Sequence, residues 1–314
     1  MAAYLALKDR PKLSVRTGSV NAGHTVVYDG KTYKLRLTPC AFVNPSTQLR
    51  IAAGANIDLA ILRSEMDALG LARRLKVDSM ASVIEPRHVN EDRSDEFLRG
   101  VVGTTGSGVG PAIADRVRRR AKLARDFDEL KGLTTDVSEE VHSVLDSGET
   151  VHLEGSQGFY LSLYHGTYPF VTGRDTTAAA VLSEVGVGPK MVSDVVLVLK
   201  SYMTRVGEGP LPGELDPQEA AARGWSEKGT VTGRTRRAAP LDFKLARRAA
   251  RANGATSIAV TKLDVIFPEC SSAKTVNSLS PKCLEFIRRV ETEVGVPVRY
   301  ASTGADTSEM VFLK

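Results

Sequence analysis

Residues that can donate or accept hydrogen bonds cluster in a loop without apolar periodicity. Residues 165–172, which read His-Gly-Thr-Tyr-Pro-Phe-Val-Thr, follow the glycine-rich segment that carries Gln157 and precede Thr176. A loop in which Gln157, Thr172 and Thr176 point polar atoms one way suits an anionic, hydrogen-bonding ligand. For this segment alone, an ordinary polar connection between core elements is the alternative.

Two charged segments add more specific chemistry. Residues 229–237 join hydroxyls to alternating arginines, and because each guanidinium can fork onto two oxygens, this pattern predicts a carboxylate clamp. Farther along, strand 257–261 runs into Lys262 and Asp264. A carboxylate at that point can accept from the N1–H and 2-amino groups of guanine, while the lysine stem packs on the purine face. A surface charge pair at a strand end is the alternative.

Glycine loops supply a third kind of site. Residues 17–25 form a loop of small residues that ends near His24, and residues 103–111 form a glycine-rich loop that leads into a basic helix. A glycine loop at a helix N-terminus offers backbone N–H groups and a positive dipole end to a phosphate. The second loop matches neither GxxxxGK[ST] nor GxGxxG, so a flexible surface turn is the alternative.

The elements that must position these loops alternate between strand and helix patterns. The turn Asp29-Gly30 predicts a β-hairpin near the N-terminus, the aliphatic run 195–199 predicts a strand covered on both faces, and residues 211–228 read as polar surface. The alternation predicts an α/β fold with one largely parallel sheet flanked by helices and with ligands at the strand C-termini. The predicted strands are 13–16, 26–28, 32–37, 151–154, 195–199, 257–261 and 298–301, and the predicted helices include 2–8, 57–71, 242–253 and 281–294.

Composition limits the classes of function. The chain has 314 residues, 42% of them hydrophobic, and no apolar run that predicts a membrane span or signal peptide. Its three cysteines are odd in number and in no CxxC pair, which favours a cytoplasmic protein without a cysteine zinc site. The net charge is +5, but acidic residues are interspersed and aromatics are only 6%, which argues against nucleic-acid binding.

Taken together, the motifs resemble the adenylosuccinate synthetase family, in order and over nearly the whole chain, as in the compact archaeal or phage branch. The fold that this resemblance implies is P-loop-NTPase-like. The matching segments are NAGHT at 21–25, GTTGSGVGPA at 103–112, EGSQG at 154–158, HGTYPFVT at 165–172, TRVGEGP at 204–210, GTVTGRTRR at 229–237, TKLD at 261–264 and STG at 302–304.

The resemblance implies a GTP-dependent ligase that joins L-aspartate to IMP through a 6-phosphoryl-IMP intermediate. It assigns His24 and Gln157 to catalysis, the backbone of Gly23 to Mg²⁺, and Arg119 to the neighbouring active site of a homodimer. The implied IMP contacts are Asn21, Ala22, Gly23, Thr105, Arg119, Gln157, Thr172 and Arg234; the aspartate contacts are Thr230, Val231, Thr232, Arg234 and Arg236; the GTP contacts are Gly23, His24, Thr25, Arg236, Lys262, Leu263, Asp264, Ser302, Thr303 and Gly304.

The N-terminus departs from the family pattern. The family begins with a strand and a WGDEGKGK-like loop, whose Asp removes the N1 proton of IMP and binds magnesium and whose Lys grips phosphates. Met1 falls at the start of the helix that should follow that loop. We therefore expect residues 1–314 to be a single domain truncated before residue 1, and we expect that chain alone not to turn over.

Two alternatives stay open at this point. A phage enzyme of the same family joins aspartate to dGMP, and a non-catalytic paralogue could retain nucleotide binding. The intact Lys262-Leu263-Asp264 favours GTP and thus the ordinary enzyme. Coding DNA in frame upstream of Met1 separates the three possibilities. A GDEGKGK-like segment supports the ordinary enzyme, a Ser or Gly in place of its Asp supports the phage-type enzyme, and a stop codon supports the non-catalytic paralogue.

Overall fold

The computed structural model describes residues 1–313 as an α/β molecule. Its strands are β1 (Leu13–Arg16), β2 (His24–Tyr28), β3 (Lys31–Leu35), β4 (Gln48–Ile51), β5 (Asn56–Ile57), β6 (Leu75–Asp78), β7 (Ser82–Val83), β8 (Thr134–Thr135), β9 (Val151–Glu154), β10 (Val196–Lys200), β11 (Tyr202–Arg205), β12 (Arg237–Pro240), β13 (Ser257–Thr261), β14 (Val298–Ser302) and β15 (Met310–Phe312). Its helices are α1 (Ala2–Asp9), α2 (Leu59–Leu69), α3 (Pro86–Ser94), α4 (Val109–Val117), α5 (Val137–Asp146), α6 (Ala178–Val185), α7 (Pro217–Ala222), α8 (Phe243–Asn253), α9 (Leu263–Ile266) and α10 (Pro281–Val294).

Local signals in the sequence explain most helix ends. Side chains at the N-caps accept hydrogen bonds from backbone N–H groups in the first turn, and glycines with positive φ follow the last turn. The capping side chains are Asp58, Asp136, Thr177, Asp216, Asp242 and Ser280, and the terminating glycines are Gly70, Gly186, Gly254 and Gly295.

The central sheet contains five parallel strands in the order β8-β6-β4-β1-β9. Val15 of β1 lies opposite Arg50 of β4 and Leu153 of β9. Leu13, Val15, Leu49 and Ile51 are almost completely buried between flanking helices. The predicted α/β class with a largely parallel central sheet is confirmed, and so is the predicted hairpin, which is formed by β2 and β3.

Strands β10, β13, β14 and β15 form a second sheet, and β2-β3, β5-β7 and β11-β12 are two-stranded pairs. The four strands of the second sheet run in the order β10-β13-β14-β15, with β15 antiparallel to β14 and the others parallel. The sequence predicted one sheet, whereas these strands are divided between two, whose outer strands β9 and β10 line the same cleft. Val198 of β10 is consequently 51% exposed, which differs from the prediction that this strand is covered on both faces.

The three cysteines lie in two separate apolar clusters. Cys40 packs with Ala3, Val26 and Val43 beside the central sheet. Cys270 and Cys283 are buried in the core of the second sheet, and all three are free thiols. Among residues 1–313, no helix has the length and apolar character needed to cross a bilayer.

Candidate active site

A cleft of about 1810 Å³ lies beside the outer strands of the two sheets. The loops that follow β1, β9 and β11 contribute to its lining. This position agrees with the rule that ligands bind beyond the carboxyl ends of strands in open α/β sheets. The cleft brings together the following predicted site residues: Asn21, Ala22, Gly23, His24, Thr25, Thr105, Gln157, Thr172, Thr230, Val231, Thr232 and Arg236.

His24 opens strand β2 at the rim of this cleft. Its Nε2 lies 2.9 Å from the Thr38 carbonyl oxygen, which can only accept, so Nε2 carries the proton. Nδ1 is buried and has no partner. Burial, assisted by the charge of Arg16, lowers the pKa of His24 to about 4, so the ring is neutral near pH 7 and turns an acceptor nitrogen inward.

An ion pair lies beneath His24. Arg16 on β1 pairs with Glu154 on β9, and the Cys40 backbone N–H and thiol both donate to that carboxylate, at 2.7 and 3.1 Å. Burial acts to raise the pKa of Glu154, but Arg16, His24 and the Cys40 hydrogen bonds together outweigh it, and the pKa lies below its usual value. Glu154 therefore remains a carboxylate, and burial keeps the Cys40 thiol protonated by raising its pKa.

Within residues 1–313, His24, Cys40 and Glu154 form the one group of three or more His, Cys, Asp or Glu side chains with metal-ligand spacing. Mg²⁺ prefers oxygen ligands in octahedral geometry, so a nitrogen, a thiol and an arginine-paired carboxylate do not fit it. The predicted metal ligand, the Gly23 backbone, lies at the cleft next to this group but offers only one carbonyl oxygen.

Three further buried polar atoms point to a ligand. Gln157 Oε1 and Thr172 Oγ1 have no hydrogen-bond partner, as is also true of Asn21 Oδ1 on the opposite loop. Gln157 has a φ of 67°, which is uncommon for a residue other than glycine. Thr176, in contrast, donates to the Gly158 carbonyl at 3.1 Å and is engaged within its own loop. Gln157 and Thr172 thus fit the predicted ligand loop, and Thr176 fits it less well.

The glycine loop at residues 103–108 is held by a carboxylate of the chain itself. Asp92 accepts from the Gly108 backbone N–H and from the Thr104 hydroxyl, both at 2.8 Å. The phosphate expected at the N-terminus of α4 would compete with Asp92 for that N–H group, so this part of the prediction does not fit. Thr105 instead faces the cleft, with its hydroxyl donating to Ser107.

The predicted carboxylate clamp approaches the His24 loop. A Cβ on Gly23 would lie 3.0 Å from side-chain atoms of Thr230 and Val231, so glycine permits this close approach. Arg234 donates to the carbonyls of Gly103 and Thr104 and is exposed, which means that it links two loops. Arg236 is the clamp arginine that lines the cleft.

The predicted guanine pocket lies at the carboxyl ends of β13 and β14. Burial raises the pKa of Asp264, while the Lys262 side chain is 42% exposed. Leu263 is fully buried, and the Thr303 hydroxyl is buried and donates to Ala273 at 2.6 Å. Their side chains therefore serve the core, and only their backbones could contact a ligand. Ser302 Oγ donates to the Gly304 carbonyl at 3.0 Å.

Arg119 lies away from this cleft. It is exposed, follows the end of α4 and has a φ of 63°. Val117, the last residue of α4, is 73% exposed. The geometry thus does not bring Arg119 to the site of its own chain.

Sequence reasoning missed Glu227, which lies in the segment read as polar surface. Its carboxylate accepts from Lys200 and Tyr202, and the Tyr202 ring stacks on Trp225 with centroids 4.8 Å apart. Trp225 is 9% exposed, so the prediction of a surface segment was wrong for this part. The single tryptophan of the chain lies in this segment and could have indicated a packed region, since a large aromatic side chain in a polar stretch is usually packed against other residues.

Comparisons with known proteins identify the family of this chain. The adenylosuccinate synthetase family model matches residues 6–129 and 121–269. The chain is 45% identical over 315 residues to the adenylosuccinate synthetase of Thermococcus onnurineus, covering 99% of this chain and 93% of that protein. It is 47% identical over 316 residues to that of Methanocaldococcus jannaschii, covering 99% and 92%.

Two solved structures share the fold. Fully ligated adenylosuccinate synthetase from Plasmodium falciparum matches with a TM-score of 0.91 at 23% identity, covering 100% of this chain and 96% of that one. The cyanophage S-2L succinoaminodeoxyadenylate synthetase bound to dGMP and dATP matches with a TM-score of 0.82 at 26% identity, covering 99% and 90%. On the family match and the archaeal identities, this chain belongs to the adenylosuccinate synthetase family.

Proposed function

We propose that this chain is an adenylosuccinate synthase, a ligase that forms a C–N bond between L-aspartate and IMP with GTP as the phosphoryl donor. One observation supports it above all: Asn21, His24, Gln157 and Thr172 hold buried, unpartnered polar atoms around one cleft. Buried polar atoms without partners are rare in folded proteins, so a cluster of them calls for a bound ligand. A hydrogen-bonding purine nucleotide is the ligand that the family relationship suggests.

In this proposal the IMP lies between the loops that carry Asn21, Ala22 and Gly23 on one side and Gln157 and Thr172 on the other. Thr105 lines the same cleft. Arg234 holds the loop that carries Thr105 by donating to the Gly103 and Thr104 carbonyls. The unpartnered oxygens of Asn21 and Gln157 would accept from purine N–H groups, or their amide groups would turn to donate.

His24 stabilises the charge that develops at O6 as the γ-phosphoryl of GTP is transferred to that oxygen. With a pKa of about 4, the free ring is neutral and presents an acceptor. A phosphoryl group beside the ring would raise this pKa, since an opposite charge favours the imidazolium. The protonated ring then donates from Nδ1 to the transferring group. Gln157, at the same cleft, orients the purine edge.

Aspartate is held by the segment from Thr230 to Arg236. Thr230, Val231 and Thr232 line the cleft, and Arg236 can fork onto a carboxylate. The aspartate amine attacks C6, and the phosphate leaves with O6. The guanine base of GTP would meet Lys262 and Asp264, with the backbones of Leu263, Ser302, Thr303 and Gly304 around it, while Gly23, His24 and Thr25 approach its phosphates.

Magnesium forms part of the proposal only through the nucleotide. The donor set of His24, Cys40 and Glu154 does not fit Mg²⁺, so no step is derived through an ion held there. When bound, Mg²⁺ would neutralise phosphate charge, and the Gly23 carbonyl is the backbone group proposed to touch it.

A homodimer and a cytoplasmic location complete the proposal. Arg119 is exposed, as is Val117 two residues before it, and an exposed apolar side chain near a basic group suits an interface between copies. Light scattering of the purified chain tests this, and Arg119→Ala should weaken IMP binding only where a dimer forms. The location is supported by the three free thiols at Cys40, Cys270 and Cys283.

IMP is favoured over dGMP as the acceptor because the adenylosuccinate synthetases match at 45% and 47% identity, whereas the dGMP-bound phage enzyme matches at 26%. The test is calorimetric titration of the protein with IMP and with dGMP, followed by mass detection of the aspartate adduct. The assay is run on residues 1–314 and on a chain extended by any residues encoded in frame upstream of Met1. Failure of both forms to bind IMP, or turnover with dGMP alone, would overturn the proposal.

A further inference from the structure

Glu227 lies between α7 and β12 and lines the cleft. Its side chain is 19% exposed, which is unusual for a carboxylate in a connecting segment. None of the roles proposed above uses it. Its surroundings are nevertheless more densely charged than those of other acidic residues at the cleft.

Three groups hold the Glu227 carboxylate and main chain. Lys200 Nζ lies 3.0 Å from both carboxylate oxygens, and the Tyr202 hydroxyl donates to Oε1 at 2.6 Å. Tyr202 is fixed in turn by stacking on Trp225. The Glu227 backbone carbonyl accepts from the Arg236 N–H at 2.8 Å. The carboxylate therefore has a defined position.

Two more cations approach this carboxylate: Lys262 of the proposed GTP set, and Arg236, which the family resemblance assigns to the aspartate set and to the GTP set. Lys262 Nζ lies 3.9 Å from Oε1, on the side of the guanine pocket. Arg236 Nε lies 3.7 Å from Oε2, on the side of the aspartate clamp. Glu227 thus stands between the two sets and contacts both.

The protonation states are compatible with this arrangement. Burial lowers the pKa of Lys200 to about 8, against the attraction of Glu227, so Lys200 is largely charged at pH 7. Burial raises the pKa of Glu227, but Lys200 and the Tyr202 hydrogen bond outweigh it and the pKa lies below its usual value. One carboxylate therefore faces three cations, and the surplus positive charge remains available to anionic ligands.

We propose that Glu227 is a positioning residue that links the guanine pocket to the dicarboxylate clamp by holding Lys262 and Arg236 in one charged network. The inference rests on the proposed function, because it takes the two ligand sets from there. Removing the charge of Glu227 releases both cations from their shared partner, so binding of GTP and binding of aspartate weaken together.

The test compares Glu227→Gln with the matched control Glu219→Gln, an exposed residue of α7 that pairs with Arg223. Affinity for a fluorescent GTP analogue is measured by titration, and affinity for L-aspartate by calorimetry with the nucleotide present. We expect Glu227→Gln to weaken both by about 10-fold, the order expected for a lost charge-assisted contact, and Glu219→Gln to change neither.

Two readouts separate positioning from a general loss of structure. Combining Glu227→Gln with Lys262→Met should show that the two effects on nucleotide affinity are not additive. The nucleotide affinity should also decline with pH as Lys200 deprotonates near pH 8, and this decline should move to lower pH in Glu227→Gln because the group that raises the Lys200 pKa has lost its charge. Arg236, Lys262 and Tyr202 also face Lys200 and are unchanged.

Glu227→Asp supplies a conservative variant in case the glutamine variant does not fold. It keeps the charge on a shorter stem, so we expect a weaker loss of affinity and an unchanged pH midpoint. Wild-type binding of both ligands together with unaltered binding by Glu227→Gln, or by Glu227→Asp where the glutamine variant does not fold, would overturn the inference and leave the proposed function intact. Wild-type protein that binds no guanine nucleotide would overturn both.

Discussion

Two polar regions of the cleft differ in how their buried groups are satisfied. Around Asn21, His24, Gln157 and Thr172, several buried polar atoms have no partner in the chain. Around Glu227, both carboxylate oxygens, Lys200 Nζ and the Tyr202 hydroxyl are engaged, whereas Arg236 Nε, 3.7 Å from Oε2, makes no hydrogen bond. The first region carries a desolvation cost that a ligand can relieve, whereas the second is formed in advance and stabilises the free protein.

The largest effect on stability should come from disrupting the charged network around Glu227. Glu227→Ala leaves Lys200 and Arg236 without their carboxylate, so we expect the free energy of unfolding to fall by about 3 kcal/mol. Urea unfolding followed by fluorescence measures this, because the single tryptophan, Trp225, stacks on Tyr202 within the network. Glu219→Ala, at an exposed pair, should cost less than about 1 kcal/mol. Equal losses in the two variants would contradict the distinction.

A second effect concerns pH and His24. The folded ring has a pKa of about 4, because of burial, against an ordinary value of 6.5. Between these values the unfolded chain binds a proton that the folded chain does not, so stability is lost as pH falls from about 6.5 to about 4, by at most about 3 kcal/mol. The free energy of unfolding should vary less with pH across this range for His24→Asn than for the wild-type protein. His152, whose pKa burial also lowers, is present in both proteins, so their difference isolates His24.

The smallest expected effect tests the region whose buried polar atoms have no partner. Thr172→Val keeps the shape of a buried side chain and removes a hydroxyl that has no partner. We expect the free protein to gain about 1 kcal/mol in stability and the affinity for IMP to fall by about 10-fold. Thr134→Val on the outer strand β8 is the control and should leave IMP affinity unchanged. A destabilised Thr172→Val protein would show that the hydroxyl has a partner after all.

Local signals carried the prediction of the elements. The predicted helices 242–253 and 281–294 match α8 and α10 to within one residue, with Asp242 and Ser280 at their N-caps and Gly254 and Gly295 past their ends. The hairpin turn at Asp29-Gly30 was equally legible, since such a dipeptide favours a tight turn wherever it occurs. These features depend on neighbours within four residues or so, which the sequence displays directly.

Features that depend on distant partners were not predictable in this way. Trp225 stacks on Tyr202, and Asp92 holds the 103–108 loop, through contacts between residues well beyond one helical turn apart. Val198 is exposed because its strand lies at the edge of a sheet. The site residues were identified through family resemblance. What the structure adds is which of their atoms are free, such as Thr172 Oγ1, and which are occupied, such as Thr303 Oγ1.

The buried cysteines lie in different parts of the molecule, so their native thiols can report local unfolding in each part. Cys40 lies next to the cleft, while Cys270 and Cys283 lie in the core of the second sheet. Burial raises the pKa of the Cys40 thiol, and burial together with Cys270 raises that of Cys283 to about 12, so alkylating reagents must wait for solvent to enter. The rate at which each cysteine is alkylated, measured by mass spectrometry, should therefore report the opening of the Cys40 cluster and of the second-sheet core separately, without an engineered probe.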